Sequence, residues 1–135
     1  MNASDAFLDT NVLLYLLSSD AAKADRAEAL AAAGGVISVQ VLNEFVSVAS
    51  RKLRMSMSEI REVLSAIRAV CTVEPLSIQT HDLGFDLAQR FGLTIYDALI
   101  VAAALLAKCR IVYSEDLQDG QIIESLTVRN PFAGR

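Results

Sequence analysis

Short apolar runs rich in β-branched side chains recur along this chain with helical stretches between them, and that alternation narrows the fold more than any other feature. Ala6-Phe7-Leu8 reads as a buried strand, and residues 36–39, 71–74, 110–113 and 126–128 read as further strands. Helical spacing of Val12, Leu13, Leu16 and Leu17 predicts a helix from Thr10 onward. Asp20 is placed to cap a helix over 21–33, which Gly34-Gly35 terminate. Further helices are predicted over 40–53, over 57–70 (capped by Ser56 or Ser58, with Ser56 and Glu59 at capping-box spacing), over 77–91 before Gly92, and over 96–108 after Thr94. Gly84 is the weak point of the 77–91 helix, because glycine costs about 1 kcal/mol there relative to alanine. Strands separated by helices define an α/β sandwich on a mostly parallel sheet, and the absence of linkers or repeats predicts a single domain over 1–135. In such sheets ligands bind beyond the carboxyl ends of the strands, so the residues just after each strand are where chemistry is expected.

Composition supports that architecture and excludes others. At 53% hydrophobic and 21% charged, 135 residues contain ample material for a core and no disordered tract. The amino terminus, Met1-Asn2-Ala3-Ser4-Asp5, is polar and acidic, unlike a secretory signal, and the longest uncharged apolar run is the ten residues 98–107, against about 20 for a membrane span. A cytoplasmic protein without membrane contact is expected. Cys71 and Cys109 make neither a disulfide framework nor a zinc motif and are expected as buried free thiols. The net charge of −4 argues against a nucleic-acid partner only on average, because Arg51, Lys52 and Arg54 cluster and Arg61 and Arg68 follow.

Four acids sit where ordinary packing does not want them. Asp9 directly follows the first strand, and Asp116 follows the strand ending at Tyr113. Asp97 opens an all-apolar helical stretch, in the first turn where the helix dipole favours an anion. Glu44 lies in Val41-Leu42-Asn43-Glu44-Phe45-Val46, with no lysine or arginine near it in sequence. Taken singly, Asp9 could be a helix cap, Asp97 a helix-start acid and Asp116 a turn residue. A buried carboxylate without a partner, however, costs several kcal/mol or is driven neutral. A shared divalent cation satisfies all four, and oxygen ligands without histidine or thiolate suit Mg2+ or Mn2+.

The segments Phe7-Leu8-Asp9-Thr10-Asn11-Val12, Asn43-Glu44-Phe45, Tyr96-Asp97-Ala98-Leu99-Ile100 and Tyr113-Ser114-Glu115-Asp116-Leu117 together resemble the PIN-domain family, and within it the VapC-type toxins of bacterial toxin–antitoxin pairs. The resemblance implies a three-layer α/β/α sandwich and a metal-dependent endoribonuclease cutting RNA. Asp9, Glu44, Asp97 and Asp116 would be its acidic quartet, with Asp9, Asp97 and Asp116 holding metal, and Glu44 either binding metal or positioning the nucleophile. Thr10, Asn11 and Ser114 would be supporting hydrogen-bond partners. It also implies a homodimer and a cognate antitoxin. Asp119 is near enough to Asp116 to contribute or substitute, and Arg51-Lys52-Arg54 are placed either to contact phosphate or to solvate a helix end.

Two other functions compete. Phosphoryl transfer through an aspartyl intermediate would make Asp9 the nucleophile, but the haloacid dehalogenase pattern wants Asp where this chain has Asn11, and a receiver domain wants a lysine after a late strand, where Ser114-Glu115-Asp116 stands. A non-catalytic binding module of the same fold is the other; the intact quartet speaks against it. His81, the sole histidine, lies outside these motifs and is given no role, and Ser114 lacks the setting of an activated nucleophile.

Overall fold

The first two strands each pass straight into a helix capped at the strand end, one by the Asp9 carboxylate and the other by the Ser38 hydroxyl. The structure, a computed structural model, describes residues 5–133; the stretch Met1-Asn2-Ala3-Ser4 lies outside the described residues. In chain order come β1 (Ala6–Leu8), α1 (Thr10–Leu14) with a 3-10 turn Tyr15–Leu17, α2 (Ala21–Ala32), β2 (Val36–Ser38), α3 (Val39–Arg51) and α4 (Met57–Val70). They are followed by β3 (Thr72–Glu74), α5 (Ile78–Phe91), α6 (Ile95–Leu106), β4 (Ile111–Tyr113), β5 (Ile122–Ile123) and β6 (Leu126–Arg129). The strands form one sheet in the order β3-β2-β1-β4-β6-β5, parallel except where β5 runs antiparallel to β6. Helices flank this sheet, as expected for an α/β/α sandwich.

The strand order fixes where a ligand can bind. From β1 the chain steps outward to β2 and β3, then returns to β4 on the other side of β1. The connections diverge between β1 and β4, and such a switch point leaves a crevice at the carboxyl edge of the sheet. Leu8 pairs with Tyr113 there, so Asp9 and Ser114 leave the sheet side by side.

The predicted caps form. Asp20 accepts from the Lys23 N–H, Ser56 and Glu59 make the reciprocal capping box, Ser77 makes another with Thr80, and Gly92 closes α5 at φ +67°. Ser58 is not used as a cap. Residue 39 departs from the predicted strand: the Ser38 hydroxyl accepts from the Val41 N–H at 3.3 Å, which starts α3 at Val39. The helix at Thr10 is short, five residues, and tightens into the 3-10 turn. β5 was not predicted; its two residues are too few for any periodicity, and β6 alone recruits them.

The core gathers on α6, where Ala98, Ala102, Ala103 and Ala104 are buried and bring the helix close to the sheet. Gly84 has a packing reason: a Cβ there would sit 2.7 Å from Leu99 Cδ2 on α6. Cys71 and Cys109 are both buried, as expected. Among the described residues no single helix is long and apolar enough to cross a membrane.

Candidate active site

Asp9 makes the turn from β1 into α1 with extended backbone (φ −73°, ψ 161°), which aims its carboxylate along the crevice. Thr10 N–H donates to Oδ1 at 2.7 Å, so the residue is a helix cap as well as a candidate ligand. The Ser114 hydroxyl donates to Oδ2 at 2.7 Å, and Asn11 Nδ2 approaches the same oxygen at 3.4 Å. Burial is nearly complete, at 4% exposure. Desolvation therefore pushes the Asp9 carboxyl up to about 6, against the lowering effect of Ser114 and Thr10, and the nearby charges of Asp116 and Glu44 push the same way.

Ser114 is fully buried and organises the opposite wall. While donating to Asp9, its oxygen accepts from the N–H groups of Asp116 at 3.1 Å and Leu117 at 3.3 Å. One hydroxyl thus fixes both the Asp9 rotamer and the turn that presents Asp116. Asn11 closes the arrangement from the other side, its Oδ1 accepting from the Glu115 N–H at 3.1 Å. Glu44, half-buried on α3, accepts from the Thr10 hydroxyl at 2.9 Å. Asp97, half-buried in the first turn of α6, is raised above its ordinary value, first by burial and second by the charge of Asp116.

These residues line one cleft of about 160 Å³, whose walls include Asp9, Thr10, Asn11, Glu44, Asp97 and Asp116. No lysine or arginine borders it, and the ion pairs among the described residues involve none of the four acids. Asp119 does not border it; its Oδ1 accepts from the Asn130 N–H at 2.9 Å. Arg51 and Arg54 are exposed away from the cleft, and His81 lies on α5 beside Phe85. Among the described residues, no three His, Cys, Asp or Glu side chains stand as a finished coordination sphere. Two of the acids are already hydrogen-bonded to hydroxyl groups, and like charges face one another across the gap.

Two contributors escaped the sequence reading. Gln40, buried one turn before Glu44, donates Nε2 to the Tyr96 carbonyl at 3.1 Å and ties α3 to the start of α6, setting Glu44 and Asp97 in one cleft. A buried amide in an apolar run was the available signal. Tyr15, whose hydroxyl donates to Glu115 Oε1 at 2.8 Å, clamps the loop after β4 onto the end of α1. Nothing in sequence links residues a hundred positions apart.

The sheet, parallel but for β5, carries a cluster of carboxylates in a cleft at its switch point. The model of the PIN domain matches residues 6–118, and the chain belongs to that family. Solved structures agree on the fold. A toxin–antitoxin complex from Klebsiella pneumoniae superposes with a TM-score of 0.72 at 25% identity, covering 94% of this chain and 98% of that one. VapC20 of Mycobacterium tuberculosis, a Sarcin-Ricin loop cleaving toxin, matches at 0.66 and 22% identity, over 82% of this chain and 89% of its own. VapBC2 from Rickettsia felis, bound to a DNA fragment from their promoter, matches at 0.66 and 20%, over 93% and 97%. No curated protein matches the sequence.

Proposed function

We propose that the protein is a metal-dependent endoribonuclease, the toxin of a toxin–antitoxin pair, with Asp9, Glu44, Asp97 and Asp116 as its working acids. The observation that carries this reading is the convergence of four carboxylates on one cleft with no basic side chain to neutralise them. The likeness to the Klebsiella pneumoniae toxin–antitoxin complex and to the Sarcin-Ricin loop cleaving toxin VapC20 supports the substrate class and the antitoxin partner.

The donor set fits Mg2+ or Mn2+: it is all oxygen, and it includes a buried carboxylate whose ionised form lacks a positive neighbour. Asp9, Asp97 and Asp116 would hold the ion. A bound divalent cation supplies the positive charge that lets a phosphodiester enter an acidic cleft, and it acidifies coordinated water. The protein's own part is placement. Ser114 holds the Asp9 carboxylate in one rotamer and keeps it ionisable, the Ser114–Asp116 turn sets the second acid opposite, and the helix dipole of α6 supports negative charge on Asp97. Glu44, steadied by the Thr10 hydroxyl, is the group left to orient the attacking water or accept its proton. An aspartyl-phosphate route lacks its parts here, since Asn11 is spent on the Glu115 N–H and no lysine borders the cleft.

The test is cleavage of a panel of structured and single-stranded RNAs by the purified chain in Mg2+, Mn2+ or EDTA, beside Asp97→Asn. Cleavage that needs metal and disappears in the folded variant supports the proposal. Equal cleavage by the variant would sink it.

A further inference from the structure

The acid cleft does not end at Asn11. Leu14, Val48 and Asn11 border it and also border a second, larger groove of about 360 Å³ that runs toward the end of α3. Its apolar walls are Leu14, Tyr15, Leu17, Val48 and Leu53, and Lys52 and Glu115 line it as well. Its volume falls within the roughly 300–1,000 Å³ of small-ligand pockets, and its mostly apolar walls with few polar groups match their chemistry.

We infer that this groove is a nucleobase subsite, which seats one base of the RNA next to the scissile phosphate; the inference rests on the ribonuclease reading. A flat heterocycle needs apolar faces and a few edge partners, and the groove offers both. Leu14, Val48 and the half-exposed Leu53 supply the faces, while the Tyr15 ring is braced from behind by Phe132, centroids 4.4 Å apart. Lys52 lies where the neighbouring phosphate of the strand would emerge, beside the exposed Arg51 and Arg54. Glu115 is the edge reader. Its Oε1 accepts from Tyr15 and its Oε2 lies 4.0 Å from Lys23 Nζ, which together fix the carboxylate plane, and lone pairs remain for amino donors of a base. A carboxylate in that position selects bases with an exocyclic amino group and disfavours uracil. Continuity with the acid cleft and the basic margin favour nucleic acid over a partner protein's apolar side chain as the occupant.

The experiment is amide NMR of the full chain in Mg2+ buffer, titrated with each 5′-mononucleotide. Ribose 5-phosphate serves as the base-free control and N-acetyl-leucinamide as a mimic of a protein side chain. The expected result is saturable shifts at Tyr15, Leu17 and Leu53 with nucleotides only, with CMP, AMP and GMP about five-fold tighter than UMP. Glu115→Gln should erase that preference, and Leu53→Ser should weaken all four by about five-fold or more. Shifts confined to the acid cleft, equal shifts with ribose 5-phosphate, or a response to the leucinamide alone would overturn the subsite. Metal-dependent RNA cleavage without a base response removes the subsite and leaves the nuclease; absence of cleavage removes the nuclease reading itself.

Discussion

At the scale of single residues, the site depends on one hydroxyl more than on any acid. Ser114 donates to Asp9 and accepts from two backbone N–H groups, all within a buried space. Ser114→Ala takes the short hydrogen bond from Asp9 Oδ2, leaving it only the 3.4 Å approach of Asn11 Nδ2, and strips two backbone N–H groups of their acceptor, which predicts a loss of about 2–4 kcal/mol in urea unfolding and a further rise of the Asp9 pKa. A loss below about 0.5 kcal/mol would show that water replaces the hydroxyl. Asp9 itself carries a pH signature. Its carboxyl sits at about 6 in the folded chain against an ordinary 3.8. A group raised on folding contributes stability fully below the lower value, and that contribution is lost as pH rises through the upper one. On the proposed function metal would compete with the same proton, so the gain in Tm on adding Mg2+ should be small at pH 5 and grow through pH 6 to 7.5. A gain that stays flat across this window would remove Asp9 from the ion's neighbours.

At the scale of elements, capping residues and strand-ending acids were readable because their physics is local. Ser56 with Glu59, Ser77, Thr94 and Gly92 each act within four residues of sequence, and the predicted helices begin and end close to them. Val39 was misplaced because a β-branched residue after a strand looks like more strand, while the decisive contact is the Ser38 hydroxyl capping the next turn. The acids were legible as misfits in apolar segments. The Gln40–Tyr96 and Tyr15–Glu115 links were not, since they exist only once α3, α6 and the loop after β4 have packed. Gly84 gives a clean test of the α5–α6 contact. Gly84→Ala gains up to about 1 kcal/mol of helix propensity but presses on Leu99, so the substitution should be destabilising by about 1–2 kcal/mol overall. In a Leu99→Ala background the same change should become stabilising. Equal effects in both backgrounds, measured by thermal unfolding, would mean the two helices do not meet there.

At the scale of the whole molecule, the strand order turns scattered acids into a cleft. Asp9 and the Ser114–Asp116 turn meet because β1 and β4 are neighbours across the switch point, and α3 and α6 bring in Glu44 and Asp97 from either side. On the proposed function the net charge of −4 is no obstacle to an anionic substrate, because a cation held by the acids would set the charge that faces it. The most direct measurement of that claim is Mn2+ binding followed by electron paramagnetic resonance, on the wild-type chain and on Asp9→Asn and Asp97→Asn shown by circular dichroism to be folded. The account predicts saturable binding of one or two ions by the wild type, weakened about tenfold or more by either substitution. Binding of equal strength in all three would contradict it.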